Sequence, residues 1–313
     1  MAAISPDSVQ TSRSLLPSVE KREKLRKTRK FRDGLSLYGV GAGGLGVIFA
    51  LALIFVYLFY ETMPLLKPVS MEVSTTYAVP GEMPVTPTMH LTLDRFEEIG
   101  GRFSESGVIT FFNARNGAIL SRIELPIPEG ERVTSFGRSE SRKSLFVYGF
   151  SDGSVLPVKV DYEITFPDGV RRVTPRLSFP LGAEPTGIGG KEGAQYSALE
   201  IVDGRGGYVI AAGTVAGDIA MALYSTTTSM LTGTVEIRRQ DFNLPNLGAP
   251  VSQLLVNESL RNLFAIDATG TLHHFDIVDR SRPVLVEKVA LVPSGVEFRV
   301  AEFLVGSRSL IVG

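Results

Sequence analysis

GLSLYGVGAGGLGVIFALALIFVYLFY, Gly34 to Tyr60, decides how the rest of this chain is read. No Asp, Glu, Lys, Arg or His lies between Asp33 and Glu61. A helix needs roughly 20 apolar residues to cross a hydrocarbon core of about 30 Å. From Leu45 to Phe59 nearly every residue is Leu, Ile, Val, Phe or Ala. Together the large ones favour insertion by on the order of 3–7 kcal/mol. The stretch reads as a transmembrane helix over 34–60. Tyr38 marks one headgroup zone and Tyr57 and Tyr60 the other. Pro64 and Pro68 stop the helix.

Working outward from the span, the N-terminal side is strongly basic. Lys21, Arg22, Lys24, Arg26, Lys27, Arg29, Lys30 and Arg32 face a single acid, Glu23. Lys and Arg beside a span resist translocation, so this side is expected in the cytoplasm and everything after Tyr60 outside it, periplasmic in a bacterial inner membrane. The lead is too long, and no small-residue cleavage site follows, for a removable signal peptide. An uncleaved signal anchor is expected. Residues 1–33 read as a cytoplasmic tail, disordered up to Glu20 and then able to lie as a basic helix on the inner leaflet. Nucleic acid is not the expected partner, because no aromatic platforms accompany the basic run.

Beyond the span, 61–90 is Pro-rich and reads as an extended linker or a first edge strand, since proline cannot donate to a ladder. From Leu91 the apolar period becomes two and turn dipeptides recur: Ser106-Gly107, Asn116-Gly117, Asp152-Gly153, Asp168-Gly169, Ala216-Gly217 and Thr269-Gly270. Residues 91–313 are therefore expected to be all-β. Four units align as strand, Gly turn and strand: Gly107–Leu125, Ser144–Val160, Gly207–Tyr224 and Arg261–Ile277. This pattern suits the inner hairpins of a β-propeller, with a β-sandwich as the alternative. Uneven glycine spacing implies loop insertions. SLIVG at 309–313 looks like the opening strand of a further unit, so the propeller is expected to be incomplete at that end.

The residues that could carry chemistry are few. Gly41-Ala42-Gly43-Gly44-Leu45-Gly46 spells a dinucleotide fingerprint, but an all-apolar helix after a basic lead is the wrong setting for one. Gly39 and Gly43 form G-x-x-x-G, which lets two membrane helices pack closely. His273 and His274 are neighbours on a strand and point to opposite faces, while His274 and Asp276 share one. With no third ligand, His274 and Asp276 read as a surface pair, not a metal site. His90 stands alone. Glu97, Glu98, Asp152 and Asp168 belong to turns, and Ser139, Ser141 and Ser144 lack a nucleophile setting. There is no cysteine, which excludes thiol chemistry, and no tryptophan. No cofactor, metal or catalytic residue is expected, and the chain does not read as an enzyme.

The stretch GAGGLGVIFALALIFVYLFYETMPLLKP, Gly41–Pro68, resembles the first membrane segment of the large bacterial phosphate ABC transporter permeases. EEIGGRFSESGVITFFNARNG, Glu97–Gly117, is similar to the start of their exported β-rich insert. The resemblance implies the front part of a permease subunit acting in phosphate import. Its exported domain would contact the periplasmic phosphate-binding protein or other transporter subunits, or act as a sensor. It also implies that the conducting spans lie beyond Gly313. A single-span protein with a propeller scaffold for envelope protein–protein contacts is the alternative.

Overall fold

The computed structural model describes residues 19–66, 68, 72–73, 75–81, 85–139, 143–189, 193–204, 207–228, 235–293, 295–304 and 309–313. The expectation for the first eighteen residues, the Pro84 part of the linker and Ser141 fall outside these. The chain divides into two compact units, one ending at Ser74 and the other starting at Thr75.

The first unit is built on α1, Val19–Thr62, closed by a 3-10 turn at Met63–Leu66. The basic run is not a separate surface helix: it continues into the apolar run without a break. Lys, Arg, Glu and Leu are good helix formers, and no Gly or Pro interrupts Val19–Asp33, so the helix propagates through. It is long and apolar enough to span a membrane, and its apolar window is exposed.

The second unit is a series of antiparallel meanders. The first sheet is β1 (Thr88–Leu93), β2 (Ile99–Ser104), β3 (Val108–Asn113) and β4 (Ile119–Glu124). The second is β5 (Val133–Arg138), β6 (Leu145–Phe150), β7 (Ser154–Thr165) and β8 (Arg172–Ser178), with β9 (Thr186–Gly187) added on β7. The third is β10 (Tyr196–Gly204), β11 (Gly207–Thr214), β12 (Ile219–Thr228) and β13 (Val235–Leu244). The fourth is β14 (Val251–Val256), β15 (Asn262–Asp267), β16 (Thr271–Asp276) and β17 (Val284–Ala290). β18 (Ala301–Phe303) and β19 (Leu310–Val312) pair as a two-stranded fifth sheet.

The sheets stack in series because their middle strands are apolar on both faces. In β6, Phe146, Tyr148 and Phe150 pack on Phe103, Ile109 and Phe111 of the first sheet. Leu145 and Val147, pointing the other way, pack on Ile201 and Ile210 of the third. Val209 and Ala211 of β11 then meet Leu254, Leu263 and Phe275 of the fourth sheet. Leu255, Ile266 and Leu272 meet Ala301 and Phe303 of the fifth.

The repeat is clearest in the turn between second and third strands. Gly107, Gly153, Gly217 and Gly270 all have φ between 76° and 85°, and each donates its N–H to the carbonyl three residues back at 2.9–3.1 Å. Only glycine takes that left-handed turn position without strain. The opening strands of the first four sheets also have a register shift near the start, between Thr88 and His90, Val133 and Ser135, Tyr196 and Ala198, and Val251 and Gln253.

This repeat corrects two sequence expectations, the strands of the first unit and the cause of the uneven spacing. The unit Gly107–Leu125 is β3 and β4, whereas the other three units are the second and third strands of their sheets. Gly107 and Gly117 both close turns flanked by β-rich residues, and the wrong one was matched. Leu310–Val312, expected to open a further unit, is the second strand of its sheet, paired with Ala301–Phe303, the same place β6 holds in the unit Ser144–Val160. The uneven spacing reflects long hairpins as well as loops: β7 has 12 residues and β12 and β13 have 10 each.

The end of the Pro-rich segment runs into the first edge strand, one of the two forms expected for it. β1 begins at Thr88, as an edge strand. The segment before it is already docked: buried Arg102 donates from Nε to Thr88 Oγ1 at 2.7 Å and also bonds the Thr86 and Pro80 carbonyls. Tyr77 Oη donates to the Ala114 carbonyl at 3.1 Å.

Candidate functional site

The opening strands of all five sheets, β1, β5, β10, β14 and β18, line one cavity of about 700 Å³. Pockets of roughly 300–1,000 Å³ suit small ligands or a partner's side chains. β1 contributes Met89 and His90; β5 Phe136, Gly137 and Arg138; β10 Ser197–Glu200 and Val202; β14 Ser252–Val256; β18 Glu302 and Phe303.

Close backbone approach holds the wall together. A Cβ at Gly137 would fall on the carbonyl of Leu199, so glycine lets β5 and β10 meet. Ser197 Oγ donates to the Val251 carbonyl at 2.7 Å, joining β10 to β14. Gln253 clamps β14 to β18: its Nε2 donates to the Ala301 carbonyl at 2.6 Å and its Oε1 accepts from Ala301 N–H at 2.9 Å.

Ionisable side chains converge here from four sheets. Arg138 Nη2 pairs with Glu302 Oε1. Burial pushes the Glu200 carboxyl well above its usual range, and Arg138 and the Val256 backbone N–H only partly offset this. His90 stacks among Phe103, Phe136 and Phe146, with ring centroids 5.4–5.8 Å away. Burial, and then the charge of Arg138, hold its imidazole down at about 4, so it is neutral at pH 7. The wall thus offers carboxyl groups, one guanidinium, hydroxyls, an amide and aromatic faces, a set suited to recognition.

The other sequence candidates lie elsewhere. Lys21, Arg22, Lys24, Arg26, Lys27, Arg29, Lys30 and Arg32 are exposed on α1, as are Gly39 and Gly43, where a Cβ would meet nothing within 4 Å. His273 points into the fold. It is buried, with Nε2 2.9 Å from Asp267 Oδ2. His274 turns to Asn262 Oδ1 at 2.9 Å and stacks on Phe264, rather than pairing with Asp276. Asp152 caps Ser154 N–H at 2.8 Å, and Asp168 takes a positive φ in its turn. Ser139 does line the cavity. Arg138, Glu200, Gln253 and Glu302 were missed. Their signal, a polar residue inside an otherwise apolar opening strand, has meaning only once the five strands are placed together.

No family model matches the chain, and no curated protein matches it. Among solved structures, the computationally designed Ika4 protein is similar at 14% identity, covering 64% of this chain and 95% of that one, with a TM-score of 0.36. A likeness at that level carries no argument about fold or activity.

Proposed function

We propose that Gly34–Tyr60 anchors the chain in a bacterial inner membrane, N-terminus inside, and holds a propeller-like recognition domain in the periplasm. The observation behind this reading is the single cavity reached by five opening strands, with successive sheets packed face on face around it. That is how blades share a central channel. Orientation rests on the eight basic residues that precede the span.

We further propose, from the resemblance of Gly41–Pro68 and Glu97–Gly117, that the chain is the front part of a phosphate ABC transporter permease subunit. The exported domain would serve phosphate import indirectly, through contact with the periplasmic phosphate-binding protein or by sensing at the cavity. Phosphate-starved cells lacking the chain should take up less labelled phosphate, and a photo-crosslinker at Leu304, on the cavity wall, should capture the phosphate-binding protein. Unchanged uptake, with capture of envelope-assembly proteins instead, would replace the permease reading with the scaffold.

A further inference from the structure

The hairpin β7–β8 runs well past the sheet it belongs to. β6 pairs with β7 as far as Lys159, Val160 N–H still reaches the Ser144 carbonyl at 2.9 Å, and from Asp161 to Thr165 the strand partner among the described residues is β8. At about 3.3 Å per residue this projects the hairpin by roughly 16 Å. Its faces differ. Tyr162 and Ile164 lie opposite Pro175 and Val173, an apolar side; Asp161, Glu163 and Thr165 lie opposite Arg176, Thr174 and Arg172, a polar one. Toward the tip, Ile164, Phe166 and Val170 are 42%, 64% and 68% exposed.

The position of this tip matters more than its exposure. Tyr77, where the incoming chain docks, sits on the β3–β4 turn through its bond to Ala114 and its ring contact with Phe112 at 6.1 Å. Ala114 N–H donates to the Glu98 carbonyl at 2.9 Å, which joins that turn to the β1–β2 turn. Arg171, at the end of the projecting hairpin, bonds the Glu98 carboxylate at 3.0–3.1 Å and lies 4.0 Å over the Phe96 ring. The hairpin tip and the docked Tyr77 therefore share one end of the domain. Tyr77 follows Leu66 closely in sequence, and the intervening chain spans at most about 40 Å.

We propose that the tip of β7–β8 is a second membrane contact. Ile164, Phe166 and Val170 dip into the boundary between headgroups and acyl chains of the leaflet facing the domain, and Arg172 meets lipid phosphates beside them. Interfacial segments seat their apolar side chains roughly 5–10 Å into that boundary. One aromatic tip alone binds weakly, but the tether keeps its effective concentration high. The proposal rests on Gly34–Tyr60 spanning the membrane.

The chain has no tryptophan, so one introduced indole reports its own surroundings. Full-length Phe166→Trp, reconstituted in phosphatidylethanolamine–phosphatidylglycerol liposomes, should emit at short wavelength and lose most of its emission when the acyl chains are brominated. Phe49→Trp, inside the span, should be quenched as well. Glu105→Trp, exposed on the β2–β3 turn at the other end of the first sheet, should emit as in water and be unaffected. Quenching at 49 but not at 166 overturns the membrane contact and leaves the span. Quenching at neither overturns the span reading and the proposal with it. A blue shift at 166 that needs an added protein and ignores bromine overturns the proposal in favour of a protein partner.

Discussion

Asp267 offers the sharpest test of how the repeat is held together. Its carboxylate is buried and accepts four hydrogen bonds: from Thr269 N–H at 2.9 Å, Thr269 Oγ1 at 2.6 Å, Thr271 N–H at 3.1 Å and His273 Nε2 at 2.9 Å. Asp267→Ala strands these donors, including a buried imidazole. Breaking a buried pair of this kind costs about 3–5 kcal/mol. For a domain of this size that is a fall of roughly 10–15 °C in melting temperature. His273→Ala removes only one of the four partners and should cost about 1–2 kcal/mol. The assay is the thermal melt of the sheet circular dichroism band, in detergent. The pH dependence carries a second check. Burial alone would raise the Asp267 carboxyl, but the hydrogen bonds from Thr269, His273 and Thr271 outweigh it and hold it low. A depressed carboxyl stabilises the fold fully above its unfolded value of about 3.9, and that contribution is lost as pH falls through the folded value. Asp267→Asn should therefore lose most of its deficit against wild type in acid. An Asp267→Ala protein that melts within about 1 kcal/mol of wild type, or above His273→Ala, would refute the reasoning.

Other outcomes follow from the cavity wall and the span. Gly137→Ala should cost about 1–3 kcal/mol or more, because the methyl group has only the Leu199 backbone to displace; a melt equal to wild type would deny the close approach of β5 and β10. Glu200→Gln should stabilise the protein, and increasingly so as pH rises, because a carboxyl raised by burial weakens the fold once the unfolded chain can ionise; equal gains at low and high pH would count against this. His90 should make wild type less stable as pH falls from about 6.5 toward 4, since the unfolded imidazole protonates first, and His90→Phe should flatten that slope in melts across the range. A reporter fused after Ser70 should work only if it is of a kind active outside the cytoplasm; activity of a cytoplasmic reporter there would reverse the topology.

The parts of this fold legible in the sequence were those with a local cause. The uncharged run Gly34–Tyr60 forces a helix whatever lies beyond it. Gly107, Gly117, Gly153, Gly169, Gly217 and Gly270 each mark a real turn, because φ near 80° is a property of one residue. Pairing is less local, and so the first repeat unit was matched one strand too late. The continuation of the basic run into the span was also hidden, since propagation depends on the absence of a breaker rather than on any signal. The cavity was least legible. Arg138, Glu200 and Glu302 are far apart in the chain and meet only because three sheets bring their opening strands to one place. The contact of His273 with Asp267 was hidden because the two residues lie on either side of a turn.

The hairpins of β7–β8 and β12–β13 lengthen outward, on the third and fourth strands of their sheets, while the opening strands keep their register shift and their places around the cavity. Added length on those strands therefore leaves the cavity wall unchanged. Such a body can acquire new reach, toward lipid or toward another protein, by adding residues in pairs to an outer ribbon, and the price in redesign of its interior is small.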